Sequence, residues 1–222
     1  MKIRILSWNV RGLCSADRRA IVKAAFDSWS PDIIMLQETR CCSVNSELIR
    51  EVWSNCFCNW EVLLADESAG GILLMWDRRV VEKLDSSIGF FTISVLSRNT
   101  EDSKEWALAG VYGPNDSQLQ RNLWSELDDV VAKWPVPWCI GGDLNVVRFT
   151  SERLGGSRIT SGMKEFSKRM WEGTSWWINR KRNCRNSYLS LGLCRIPLFS
   201  ILFLCLLRSG SFSGISSLSS FC

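Results

Sequence analysis

The chain has 222 residues, 46 % hydrophobic and 23 % charged, which excludes a disordered or fibrous polymer and suits one large globular domain. The net charge of +4 does not by itself mark a nucleic-acid binder, because residues 1–160 carry a net −3 and residues 161–222 a net +7. Ten cysteines without a histidine exclude the common zinc sites, since no C-x-x-C pair exists and Cys41-Cys42 and Cys56-Phe57-Cys58 have the wrong spacing.

Residues 2–8 alternate and then run apolar, which predicts a first strand. No signal-peptide h-region precedes it, so the protein is expected to be intracellular and not secreted, with reduced cysteines that act as small hydrophobes. From Arg18 to Trp29, Ile21, Val22, Ala25 and Phe26 recur at helical spacing, and Pro31 closes that helix. Residues 32–36 form a short apolar run typical of a strand buried on both faces. A short helix over 46–53 follows, then four strands over 60–64, 71–76, 88–96 and 106–111. Ser117 is the expected N-cap of a helix carrying Leu119, Leu123, Leu127, Val130 and Val131. Residues 137–140 then make a brief strand that delivers Gly141-Gly142-Asp143. Strands with a few helices and no strict βαβ rhythm predict an α/β fold of two packed sheets flanked by helices.

After about residue 172 the composition changes. Residues 173–222 contain no Asp, Glu or Gln, while Ser, Leu, Arg and Cys crowd in. Residues 189–207 are largely apolar, but Arg195 and Pro197 interrupt them, and the clean stretch is ten residues against the ~20 that a membrane-spanning helix needs. Membrane association of 189–207 is therefore not the expected reading. The tail over 168–222 reads instead as foreign to the domain over 1–167, as a shifted reading frame or a splice error shortly after Phe166 would make it.

Polar residues stand where apolar runs end: Asn9 in Ser7-Trp8-Asn9-Val10-Arg11-Gly12-Leu13, Glu38 in Leu36-Gln37-Glu38-Thr39, and Asp143 with Asn145 in Gly141-Gly142-Asp143-Leu144-Asn145. All are oxygen donors, and oxygen is what a hard cation such as Mg²⁺ binds. Each also has a plainer reading. Glu38 is placed to pair with Arg40, Asn9 to bond its own backbone in a turn, Gly-Gly-Asp to make a tight turn, and Tyr112, before Gly113-Pro114, to be a buried ring. The two glycines let backbone approach a ligand closely, and Asn145 points to the same side as Asp143 if the strand continues.

Together, in this order, the four motifs resemble the endonuclease/exonuclease/phosphatase superfamily, the DNase I-like proteins. The stretch from Cys139 to Arg148 followed by Glu152-Arg153-Leu154-Gly155-Gly156-Ser157-Arg158 is most similar to the apurinic/apyrimidinic-type endonuclease domain of plant LINE (non-LTR) retrotransposons. The resemblance covers residues 1–167. It implies a four-layered α/β sandwich and metal-dependent phosphodiester hydrolysis, namely nicking of DNA in the nucleus. Asn9 and Glu38 would hold Mg²⁺ (or Mn²⁺), Asp143 would orient or deprotonate the attacking water, Asn145 would steady it, and Tyr112 would contact the phosphate. The family's closing Ser-Asp-His motif has no counterpart, because the chain has no His and no Asp after Asp143. The last core strands are expected to be missing too, leaving a sheet edge open. That puts the activity of this copy in question. The alternatives are a non-catalytic remnant that binds nucleic acid or membrane, with Trp176, Trp177 and the basic run from Arg180 to Arg185 as its support, or a lipid or inositol phosphate phosphatase of the same fold.

Overall fold

The computed structural model describes residues 3–65, 70–147, 149–150 and 158–172, and the backbone of four short strands beyond them. The first sheet has the order β1-β2-β4-β3, built from β1 (Ile5–Asn9), β2 (Ile33–Gln37), β3 (Cys58–Leu63) and β4 (Ile72–Asp77). The second runs β5-β6-β7-β8 from β5 (Val81–Ile88), β6 (Thr92–Asn99), β7 (Glu105–Tyr112) and β8 (Trp138–Asp143). Neighbours within each sheet are antiparallel except two pairs, β1 with β2 and β7 with β8. A parallel pair needs a crossover. Helix α1 (Ala16–Trp29) supplies the first and α3 (Ser117–Lys133) the second, while α2 (Ser46–Val52) follows β2 and α4 (Ser161–Glu172) follows β8.

The layers follow from the two-residue alternation of the strands. Leu6, Trp8, Ile34, Leu36, Leu73 and Met75 face outward and pack with Val22, Phe26, Ile49 and Val52 of α1 and α2. Their alternates Ile5, Ile33, Met35, Ile72, Leu74 and Trp76 face inward onto Ile93, Val95, Trp106, Leu108 and Cys139 of the second sheet. The other side of that sheet, with Ala107, Ala109, Val111, Trp138 and Ile140, is covered by Leu123, Trp124, Leu127 and Val130 of α3 and Phe166 of α4. Helices, sheet, sheet and helices thus form the expected four-layered α/β sandwich. Each large side chain sealed in it contributes roughly 1.5–3 kcal/mol through burial.

Several boundaries differ from expectation. The strand foreseen over 88–96 is the end of β5, a turn and the start of β6. Strand β5 itself carries no apolar alternation, since most of Val81–Ile88 is exposed or half-buried, as suits a polar edge strand. Helix α3 is capped by Asp116 and not by Ser117: one Asp116 oxygen accepts the N–H groups of Gln118 and Leu119. Helix α4 was not foreseen, although Met163 and Phe166 are buried at helical spacing. Cys41 and Cys139 are buried as small hydrophobes, but Cys14, Cys42 and Cys56 are exposed.

The expected loss of core strands, the foreign tail over 168–222 and the apolar stretch 189–207 lie largely outside the described residues. What is described there is β9 (Trp176–Ile178), β10 (Tyr188–Leu191), β11 (Cys194–Pro197) and β12 (Phe203–Leu206). Strand β12 pairs antiparallel with β8, and β9 lies outside it, so the edge beside β8 carries two short strands from the tail. Among the described residues no helix is long and apolar enough to cross a membrane.

Candidate active site

Strands β1, β2, β7 and β8 all end on one side of the sandwich, and each hands over a polar residue there. The Asn9 side chain lies where both sheets meet. Its Nδ2 donates to Glu38 Oε1 at 2.8 Å and to Asp143 Oδ2 at 2.9 Å. One amide thus bridges two carboxylates, one from each sheet, in a place only 7 % exposed. The plainer reading of Asn9 is seen too, because its Oδ1 accepts the Arg11 backbone N–H at 3.2 Å in a local turn. Glu38 likewise makes the ion pair of its plainer reading, its Oε2 accepting from Arg40 Nη2 at 3.3 Å.

The backbone here is held in uncommon conformations. Arg11, Glu38, Arg40 and Asn145 all have left-handed φ, between 49° and 54°, at a cost of about 1–3 kcal/mol each for non-glycine residues. Backbone bonds tie these loops together: Gly12 N–H reaches Glu38 O at 2.7 Å, Leu13 N–H reaches Thr39 O at 2.8 Å, and Arg40 N–H reaches Gly70 O at 3.2 Å. Below them Gln37 is wholly buried, donating to Ser7 Oγ at 3.1 Å and to Met35 O at 3.0 Å. The sequence pattern did not single out this buried polar floor, whose signal is a Ser and a Gln two register positions apart in paired strands.

Strand β8 ends at Asp143, so the condition under which Asn145 would share its face is not met. Asn145 turns back instead. Its backbone N–H donates to Asp143 Oδ1 at 3.0 Å, and its Nδ2 to Gly113 O at 2.7 Å. Gly113 N–H in turn reaches Asp143 O at 2.7 Å. The close approach that Gly142 allows is to strand β7 and not to a ligand: a Cβ on Gly142 would collide with the Val111 carbonyl.

Tyr112 is half-buried beside these acids. Burial first, then the Glu38 carboxylate and Asp143, push its phenol up to about 12 against the opposing pull of Arg40. An unfolded tyrosine titrates near ~10. The folded form therefore keeps its proton more firmly, so the resulting stability is complete below pH ~10 and is lost as pH rises through about 12. The difference in absorbance titration between the wild-type protein and Tyr112→Phe, in chelator, is expected to show one ionisation near 12; a transition near ~10 would mean an ordinary exposed phenol.

Among the described residues no three His, Cys, Asp or Glu side chains converge. Two carboxylates and one amide do, and the space between the carboxylates is filled by an electropositive NH₂ group. Mg²⁺ prefers few protein oxygens and keeps several waters, so the two carboxylates fit it, and Asn9 adds an oxygen once its amide is turned over.

Two mixed sheets packed face to face between helices, with acids and amides at the strand ends, place the molecule among the two-sheet α/β sandwiches. Within that class the chain belongs to the endonuclease/exonuclease/phosphatase family, whose model matches residues 6–190. No curated protein matches the sequence. Among solved structures, the fold is shared with the mannosyl-6-phosphatase of Bacteroides thetaiotaomicron, at 8 % identity over 92 % of this chain and 85 % of that one, TM-score 0.62. It is shared with D. rerio TDP2 complexed with single strand DNA product, at 16 % identity over 94 % and 86 %, TM-score 0.58. The Xenopus laevis APE2 catalytic domain is similar as well, at 18 % identity over 76 % and 67 %, TM-score 0.53.

Proposed function

We propose that this chain hydrolyses phosphodiester bonds with a divalent cation, nicking one strand of nuclear DNA as the endonuclease domain of a plant LINE-type retrotransposon does. The observation that carries the reading is the Asn9 amide within 2.8 and 2.9 Å of two carboxylates from opposite sheets. The cluster gathers polar groups from the carboxyl ends of β1, β2 and β8 at one place. Glu38 and Asn9 would hold Mg²⁺, or Mn²⁺ in its place, which when bound supplies neutralising charge at the phosphate.

The remaining work falls to side chains. Asp143, oriented by the Asn145 N–H on one oxygen and by Asn9 on the other, orients the attacking water and takes its proton. Tyr112 stays protonated at neutral pH and donates to a phosphate oxygen. The Asn145 amide is taken up by Gly113 O, so this residue acts by fixing Asp143. With no histidine to assist the leaving group, turnover is expected to be about 10²–10⁴-fold below that of a complete site.

The test is relaxation of supercoiled plasmid by purified protein with Mg²⁺, with Mn²⁺ or with EDTA, beside Asp143→Ala. Relaxed circles that need the cation and disappear in Asp143→Ala are expected. No nicking, or nicking that survives Asp143→Ala, would leave a non-catalytic family remnant. Release of phosphate from a phosphomonoester in place of nicking would move the chain to the phosphatases of this fold.

A further inference from the structure

We infer that Phe90 is a stacking platform for an unpaired base of the bound strand, so that the site favours single-stranded or locally opened DNA; this rests on the nuclease reading above. Phe90 tips the turn between β5 and β6 and is 82 % exposed, with Ile88 beside it 50 % exposed. A lone surface phenylalanine is ordinary. What sets this one apart is how firmly its backbone is held and where.

One carboxylate, that of Glu126 on α3, organises the whole turn. It accepts the Phe90 N–H at 2.9 Å, the Phe91 N–H at 3.0 Å and the Thr92 hydroxyl at 2.7 Å. Gly89 makes room for it, since a Cβ there would lie 2.5 Å from Glu126 Cδ. The half-buried Phe91 ring flanks Phe90 at 5.8 Å between centroids, tilted by 56°. An exposed aromatic on a pinned backbone loses little further freedom on contact, which is what a binding platform needs.

The turn is also fastened to the site. Phe91 O accepts the Tyr112 N–H at 3.0 Å, and Tyr112 is the register partner of Asp143. Strands β6, β7 and β8 are consecutive neighbours, so two strand spacings, about 10 Å, separate this turn from Asp143. That is about three base steps at ~3.4 Å each. On the first sheet's loops Arg11 and Arg40, the latter paired with Glu38, are exposed and suit the phosphates. Guanidinium groups for the backbone and an aromatic face for a base are the two parts that single-strand binding combines.

The experiment is fluorescence anisotropy with a labelled 12-nucleotide DNA, single-stranded or as a duplex, in EDTA so that nothing is cut. Wild-type protein is compared with Phe90→Ala, Phe90→Leu and Phe90→Trp, with unfolding midpoints as the check on folding. Phe90→Ala and Phe90→Leu are expected to weaken single-strand binding about 5- to 100-fold and duplex binding far less, while Phe90→Trp restores it. Equal affinity for Phe90→Ala, or full affinity for Phe90→Leu, would overturn the stacking role. If the wild type relaxes plasmid and Phe90→Ala binds single strands as tightly, this inference alone falls. If the wild type neither binds nor cuts DNA, the nuclease reading falls with it. Phe90-dependent sedimentation with phosphatidylserine vesicles, without DNA binding, would overturn it in favour of a membrane contact.

Discussion

Gly142→Ala is expected to destabilise the fold by about 2–6 kcal/mol, combining the strain of an unfavourable φ with overpacking against a fixed neighbour. Gly142 has φ +142°, a conformation that L side chains rarely adopt. A Cβ there would also meet Val111 C and N at 2.8 Å, and the Val111 carbonyl oxygen closer still. These are main-chain atoms of the neighbouring parallel strand and cannot swing aside as a side-chain tip can. Relief requires β7 and β8 to part where Val111 faces Gly142 and Tyr112 faces Asp143. The damage therefore reaches the site, and the Asn9–Asp143 bond is expected to go with it. Gly110→Ala is the control. A Cβ at Gly110 would meet Ile72 Cγ2 at 3.4 Å and Met35 at 3.8 Å, ordinary van der Waals contacts, so its unfolding midpoint should stay near the wild type. Denaturant unfolding of the three proteins decides it. Equal midpoints for the two variants would show that β8 has slack the geometry denies.

How much of this was legible in the sequence varies with the kind of signal. Ile33–Gln37 and Trp138–Asp143 announce themselves as apolar runs, and a strand end is a place where a polar residue can be spotted without knowing the fold. That is why Asn9, Glu38, Tyr112 and Asp143 stand out as candidates in the sequence alone, and why the layering could be foreseen. Strand β5 had no such signal, because its exposed, polar face is shaped by pairing with β6 and not by burial. Asn145 was foreseen in the right place for a geometry it does not have, since its left-handed φ depends on Gly113 O, 32 positions away. Asn9 is the subtler case. Its residue type suggested an oxygen donor, yet between the two acids it presents nitrogen, a choice set by two carboxylates that only the folded sheets bring together.

That choice leads to the other large expected effect, at Asn9. Asn9→Asp removes the two N–H donors and places a third negative charge where two already converge. A hydrogen bond to a charged group is worth about 1.5–3 kcal/mol, so losing two costs about 3–6 kcal/mol before repulsion is added. At an effective dielectric of about 20, like charges ~4 Å apart add repulsion of the same order. In EDTA the unfolding midpoint of Asn9→Asp should therefore fall well below that of the wild type. Asn9→Leu fills similar space without the added charge and should fall less. The two variants then diverge in Mg²⁺. A ligand that binds only the folded state raises stability by RT ln(1 + [L]/Kd), so Asn9→Asp, with three carboxylates converging, should recover steeply as Mg²⁺ is titrated in, while Asn9→Leu should respond weakly. Calorimetric scans across an Mg²⁺ series read both effects without any assay of activity. A normal midpoint for Asn9→Asp in EDTA would mean that the amide does not hold the two sheets' acids together. A depressed midpoint that Mg²⁺ leaves unmoved would mean that these oxygens do not form a cation site, and would remove the metal from the mechanism while leaving the fold intact.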